Sequence, residues 1–197
     1  MTKRIAIIIS GILSPYLIAP LAATISILAY APTSGEVVVW AAVIFGLAFF
    51  PSAIDLFAGY RYKRIPDLRL LDKADRRELY VVTTISITLS AIVLAGIDAA
   101  PEVITVSAAS ALICATLGVV NQFTKVSLHT ATITWAASML GFAVNPIFFV
   151  ALTLVPIVGW ARIFRGRHTL IQVALGAFIA FGASALVWWS AHFLTGS

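Results

Sequence analysis

Two segments of this chain place a histidine beside fixed positive charge. One is Lys125-Val126-Ser127-Leu128-His129; the other is Arg162-Ile163-Phe164-Arg165-Gly166-Arg167-His168, with Gln172 four residues further on. A third basic stretch, residues 61–78, carries Arg69, then six residues, then Arg76-Arg77. These residue types suit the binding of an oxyanion and attack on its central atom. Arg grips a phosphate through two parallel N–H bonds, and Ser127 can add a hydroxyl donor. A helix start adds unpaired N–H groups and the positive end of its dipole. An imidazole beside such cations favours its neutral form, which leaves a nitrogen lone pair for attack. Positions 168 and 172 are one helical turn apart, so Gln172 can reach the His168 ring and orient it. Ser127 and His129 are two apart and can act together only in a loop or a first turn.

The elements that must position these groups are membrane helices. Hydrophobic residues make up 61% of the 197-residue chain and charged residues 11%, and the mean hydropathy is +1.03. Soluble domains carry about 25% charged residues. About 20 apolar residues cross the hydrocarbon core, so the chain has room for six or seven crossings and no loop long enough for a soluble domain. The expected spans are 5–30, 37–59, 79–98, 102–121, 127–144, 147–164 and 169–193. The fold class is therefore all-α: a polytopic membrane helix bundle of about seven (six to seven) transmembrane helices, as one membrane-embedded domain, 1–197. The first span starts after Lys3-Arg4 and runs to about Tyr30, too long for a signal-peptide core, and is read as a retained helix. Pro146 suits a first helical turn, and Pro156 is expected to kink the sixth span. Cys114, the single cysteine, lies in an apolar run and is assigned to packing.

Charge orients the spans. The thirteen Lys and Arg fall only at 3–4, 61–77, 125 and 162–167. Two crossings fit between consecutive basic places, so every cation can lie on one face, with His129 and His168 beside them. The opposite face receives Glu36, Asp98 and Glu102. Positive loops stay in the cytoplasm. The N-terminus and the candidate site are thus expected on the cytoplasmic side of a prokaryotic-type cell membrane, with the C-terminus opposite. Trp188 and Trp189 fit an aromatic belt at the far interface, and His192 is read as interfacial.

Each basic segment also has a structural reading. A juxtamembrane basic loop meets anionic headgroups and sets topology, Ser127 can simply cap a helix, and the Arg-rich turn can be a topogenic flank. Taken together, those readings leave unexplained why both cytoplasmic histidines open a helix beside Lys or Arg.

At these residues the chain resembles the type 2 phosphatidic acid phosphatase family, integral-membrane lipid phosphatases related to vanadium haloperoxidases. The family has three motifs: Lys, six residues, Arg-Pro; Pro-Ser-Gly-His; and Ser-Arg, five residues, His, three residues, Asp. Ala161-Arg162, five residues, His168, three residues, Gln172 keeps every spacing of the third, with Ala for Ser and Gln for Asp. Val126-Ser127-Leu128-His129 keeps Ser and His of the second. Arg69, six residues, Arg76-Arg77 is the least similar. The resemblance covers residues 69–173 and implies a phosphatase-like core over about 60–193.

The resemblance implies that His168 attacks phosphorus and forms a phosphohistidine. His129 would protonate the departing lipid oxygen and then activate water. Arg69, Arg76, Ser127 and Arg162 would hold the non-bridging oxygens. Lys125, outside the family motif, is a candidate extra phosphate ligand. Gln172 can orient His168 but lacks the carboxylate charge that stabilises an imidazolium. Asp55, an acid within the second span, is a candidate substitute, with pairing to an Arg as its structural reading. No cofactor and no metal are expected. The expected substrate is a phospholipid or isoprenoid phosphate: a phosphatidate, an isoprenyl (di)phosphate or a phosphatidylglycerophosphate-like lipid. The expected partners are the membrane and that substrate, with no nucleic acid; a homo-oligomer stays open. The alternative is a non-catalytic lipid-phosphate binding or transport protein on the same scaffold. Few intramembrane polar groups argue against a transporter or channel subunit. A zinc hydrolase would need a third ligand near His129 and His168, and no His-Glu-x-x-His pattern exists. Asp67, Asp72 and Asp75 sit among Arg residues and are read as their partners rather than as a metal site.

Overall fold

The structure is a computed structural model and describes residues 2–62 and 73–195. Among these residues all regular structure is helical. The apolar composition demands this, because inside hydrocarbon every backbone N–H and C=O must pair within its own segment. Six stretches are long and apolar enough to cross a membrane: Thr2–Tyr30, Ser34–Arg61, Arg76–Gly96, Pro101–Val120, Pro146–Phe164 and Leu170–Phe193. The protein is an all-α, polytopic integral membrane protein.

Prolines shape three of the six. The first divides into α1 (Thr2–Ile12) and α2 (Pro15–Tyr30), because Pro15 has no N–H to give the Gly11 carbonyl. The second runs as α3 (Ser34–Val43), a π-helical segment Ile44–Phe49, and α4 (Phe50–Arg61). Its wider turns end where Pro51, in the first turn of α4, cannot donate. α5 (Lys73–Gly96) and α6 (Pro101–Val120) are uninterrupted, whereas the stretch after Asn145 begins as a 3-10 segment, Pro146–Thr153, and continues as α8 (Leu154–Phe164). Pro156, the position of the expected kink, falls in the first turn of α8, which tolerates its missing N–H.

α7 (Leu128–Ala143) is different: its 16 residues rise only about 24 Å, less than the roughly 30 Å of a hydrocarbon core. Most of its side chains are buried. α9 (Leu170–Thr195) completes the order.

Within the single domain expected from the sequence, contacts define two compact units. One is Met1–Ser26 with Lys125–Ser197; the other is Ile27–Thr124. In the first, α7 is the inner helix and packs on α9, α8 and the 3-10 segment, while α1 packs on α8. Gly141 lets the ring of Phe149 close on α7, where an added Cβ would stand 2.9 Å from it. In the second, α5 lies along α6 and against α4 and the π-helical segment. A tight turn joins α5 to α6: Asp98 adopts φ 53°, and Ala99 N donates to Leu94 O at 3.0 Å, the backbone pattern that closes helix ends at a left-handed residue.

Candidate functional site

The spacing from Arg162 to Gln172 is the spacing of a helix stop followed by a helix start. α8 ends at a left-handed Gly166, φ +65°. Gly166 N donates to Ile163 O at 2.8 Å and Arg167 N to Arg162 O at 3.0 Å, which satisfies carbonyls the helix would leave open. α9 then starts with a capping box: Gln172 N donates to Thr169 Oγ1 at 3.3 Å and Thr169 N donates to Gln172 Oε1 at 3.2 Å. Only Arg167 and His168 lie between the two caps. His168 is thereby fixed at the helix junction, 7% exposed.

Gln172 Oε1 also lies 3.3 Å from His168 Nδ1. Because the same oxygen accepts from a backbone N–H, the amide cannot be turned around, so Nδ1 must be the donor. The remaining ring nitrogen, Nε2, then carries the lone pair. One amide oxygen thus performs two tasks: it caps α9 and sets the tautomer of His168.

His129 stands at the second position of α7, directly after Leu128. Its Nε2 lies 3.2 Å from the Ser10 carbonyl of α1. A carbonyl only accepts, so Nε2 carries the proton and Nδ1 the lone pair. Ser10 is two residues from the end of α1, where the break before Pro15 loosens the ladder and turns carbonyls toward other donors. Arg162, His168 and Arg165 are all close enough to His129 to act on it electrostatically. The half-buried imidazole, the buried imidazole and two guanidinium groups therefore share one electrostatic neighbourhood in the first unit.

The start of α7 is stapled to the start of α9. Ser127 N donates to Gln172 O at 3.2 Å, and Thr130 Oγ1 donates to Val173 O at 3.0 Å. Gly176 permits this approach: a Cβ there would stand 2.6 Å from Ser127 O and 2.9 Å from Thr130 Oγ1. Ser127 is fully buried and its hydroxyl oxygen accepts from Thr130 N at 3.4 Å, as the N-cap of α7. Lys125 is half-buried, two residues before that cap.

The sequence-derived residues thus fall in three groups. Lys125, Ser127, His129, Arg162, His168 and Gln172 all belong to the first unit. Arg76, 7% exposed on the first turns of α5, and Asp55, half-buried on α4, belong to the second. Arg69 lies outside the described residues, as do Asp67 and Asp72. Among the described residues no group of His, Cys, Asp and Glu could hold a metal ion.

Sequence reasoning missed Ser10, Thr130, Thr169 and Gly176. Thr169-x-x-Gln172 was readable as a capping pattern. Ser10 acts through its backbone carbonyl and Gly176 through a missing Cβ, which no residue type announces, and the Thr130 hydroxyl reaches a carbonyl 43 residues away. Comparison with protein-family models, with curated proteins and with solved structures gave no match.

Proposed function

We propose that the protein is a membrane lipid phosphatase that hydrolyses a lipid phosphate or diphosphate monoester through a phosphohistidine at the cytoplasmic face. The observation that carries this reading is the fixed tautomer of His168, which puts the lone pair of the neutral ring on Nε2, in the unit that also holds Arg162 and Arg165. Neutral imidazole is the nucleophilic form, and nearby guanidinium charge offsets the charge that builds on the transferring phosphoryl oxygens.

In the first step Nε2 of His168 forms a bond to phosphorus as the bond to the lipid oxygen breaks. The Nδ1 of His129 first takes the proton that a phosphate monoanion carries into the site, then passes it to the departing oxygen, and the lipid alcohol, or lipid phosphate for a diphosphate, leaves. In the second step His129 takes a proton from water, the water oxygen bonds to phosphorus, and the N–P bond breaks. With Nε2–H of His129 held on Ser10, Nδ1 is the nitrogen through which this proton moves. Arg162 holds phosphoryl oxygens, Arg165 adds positive field, and Lys125 is the further cation of the same unit. The one-sided distribution of Lys and Arg supports a cytoplasmic site, and it requires the short, buried α7 to be a seventh crossing, which puts the C-terminus on the other side.

Two observations favour a second reading, lipid-phosphate binding without hydrolysis. Gln172 offers His168 a neutral acceptor in place of a carboxylate, and the Ser127 hydroxyl is engaged in its helix cap. One experiment separates the two. Purified protein in detergent with a chelator is given phosphatidate, an isoprenyl diphosphate and a phosphatidylglycerophosphate, beside His168→Ala and His129→Ala variants. Hydrolysis predicts phosphate release by the wild type that both variants lose. Binding of the lipids with release no faster than in the variants would leave the binding reading.

A further inference from the structure

The second unit carries a groove that the proposed chemistry does not use. It lies open between α5 and α6, has a volume of about 290 Å³, and takes Arg77 at one end. Its walls are Val81 and Ile85 on α5 and Ala115 and Val119 on α6. Its floor is Tyr80, 4% exposed, whose ring is held close by Gly118: an added Cβ there would stand 3.1 Å from Tyr80 Cβ. From Arg77 to Ile85 the groove runs about 12 Å along α5 at the helical rise.

Both helices are membrane-crossing in length and hydropathy, and the wall residues face outward. Val81 is 53% exposed, Ile85 63% and Val119 57%. A groove with this lining on the outer surface of a membrane span is filled by acyl chain. Its charged end is not neutral in choice, however. Arg77 is exposed at the first turns of α5, at the depth where a chain lying along Val81 and Ile85 would present its headgroup. Guanidinium pairs with phosphate bidentately, and an anionic headgroup is drawn to a juxtamembrane Arg.

The geometry points to a binding site for an anionic phospholipid between α5 and α6, with its phosphate on Arg77 and one acyl chain over Tyr80 and Gly118. The occupant is a bound lipid rather than a substrate, so the site stands whether or not His168 forms a phosphohistidine. Small side chains at 115 and 118 open the groove, and the position of Arg77 one turn before its apolar wall selects the headgroup.

Native mass spectrometry of the full-length protein in dodecyl maltoside tests this, with equimolar phosphatidylglycerol and phosphatidylcholine of identical chains. The wild type should retain phosphatidylglycerol adducts in preference. Arg77→Gln should lower that preference about fivefold, the effect of one Arg at an anionic surface. Ala115→Trp, which fills the groove, should abolish it, with an unchanged thermal transition as the check on folding. Arg77→Gln alters an exposed side chain, so it remains informative if the Trp variant fails to fold. Equal retention of the two lipids by the wild type, or a preference that survives Arg77→Gln, overturns the site.

Discussion

Replacing Gly176 by alanine should loosen the seam that holds both histidine-bearing helix starts together. A Cβ at 176 would stand 2.6 Å from the Ser127 carbonyl oxygen and 2.9 Å from Thr130 Oγ1. The nearer contact is a backbone atom in the cap of α7 and cannot rotate away. α9 must therefore move by roughly half an ångström or more to restore ordinary contact. That shift stretches the Thr130–Val173 bond, now 3.0 Å, and the Ser127–Gln172 bond, now 3.2 Å, toward the limit of hydrogen bonding. Overpacking of this kind costs about 1–3 kcal/mol, and weakening two bonds adds about 1 kcal/mol. Against this stands the helix propensity gained by Gly→Ala, up to about 1 kcal/mol. The net is a loss of about 2 kcal/mol, or roughly 4–8 °C in Tm for a chain of this size. Gly182 provides the control, since it lies on the same helix with nothing within 4 Å of an added Cβ. Gly182→Ala should leave Tm unchanged or slightly raised. Thermal unfolding of the two variants in one detergent reads both effects; an equal Tm for Gly176→Ala and Gly182→Ala would refute the close approach of α9 to the α7 cap.

Three further outcomes follow from the helix junction and the charge pattern. Gln172→Glu keeps the capping acceptor and gives His168 Nδ1 a charged partner worth about 1–2 kcal/mol more, so kcat for phosphate release should rise about five- to thirtyfold; an unchanged or lower kcat would remove Gln172 from its role in orienting His168. Gly166→Ala meets no atom within 4 Å but forces a Cβ onto φ +65°, which costs about 1–2 kcal/mol and should lower Tm by about 2–8 °C, with Gly166→Asn milder; equal Tm values for all three proteins would contradict the left-handed stop. In a Cys114→Ala background, Arg165→Cys in intact cells should resist an impermeant thiol reagent and react after permeabilisation, and labelling of intact cells would reverse the assigned orientation.

Much of the architecture was legible in the sequence because hydropathy decides it. The apolar runs ending near Tyr30, Val120 and Phe164 match helix ends, since membrane spans are set by length and composition rather than by tertiary detail. What escaped was local. The first span breaks at Leu13–Ser14 because of Pro15, a residue easily passed over inside a long apolar run. The π-helical segment before Pro51 was equally hidden, because a proline dictates that the ladder changes and not how. At the site, the Gln172 amide does reach the His168 ring, but through the capping box of α9 rather than through a helical turn, because His168 precedes the Thr169 cap. The 162–172 spacing is that of a Gly166 stop and a Thr169 cap, so helix geometry and chemistry are written in the same residues. The partner of His129 was invisible, since Ser10 contributes a backbone carbonyl 119 residues away.

The most direct test of the proposed chemistry is to trap the covalent intermediate. Purified protein mixed briefly with phosphatidate labelled in its phosphate and quenched in alkali should carry one phosphoryl group on the peptide containing His168, stable to base and lost in acid. His168→Ala should carry none, and His129→Ala, slow to hydrolyse, should retain the label longer than the wild type. Phosphate release by the wild type with no label at His168, or label that persists in His168→Ala, would contradict the assignment of His168 as nucleophile.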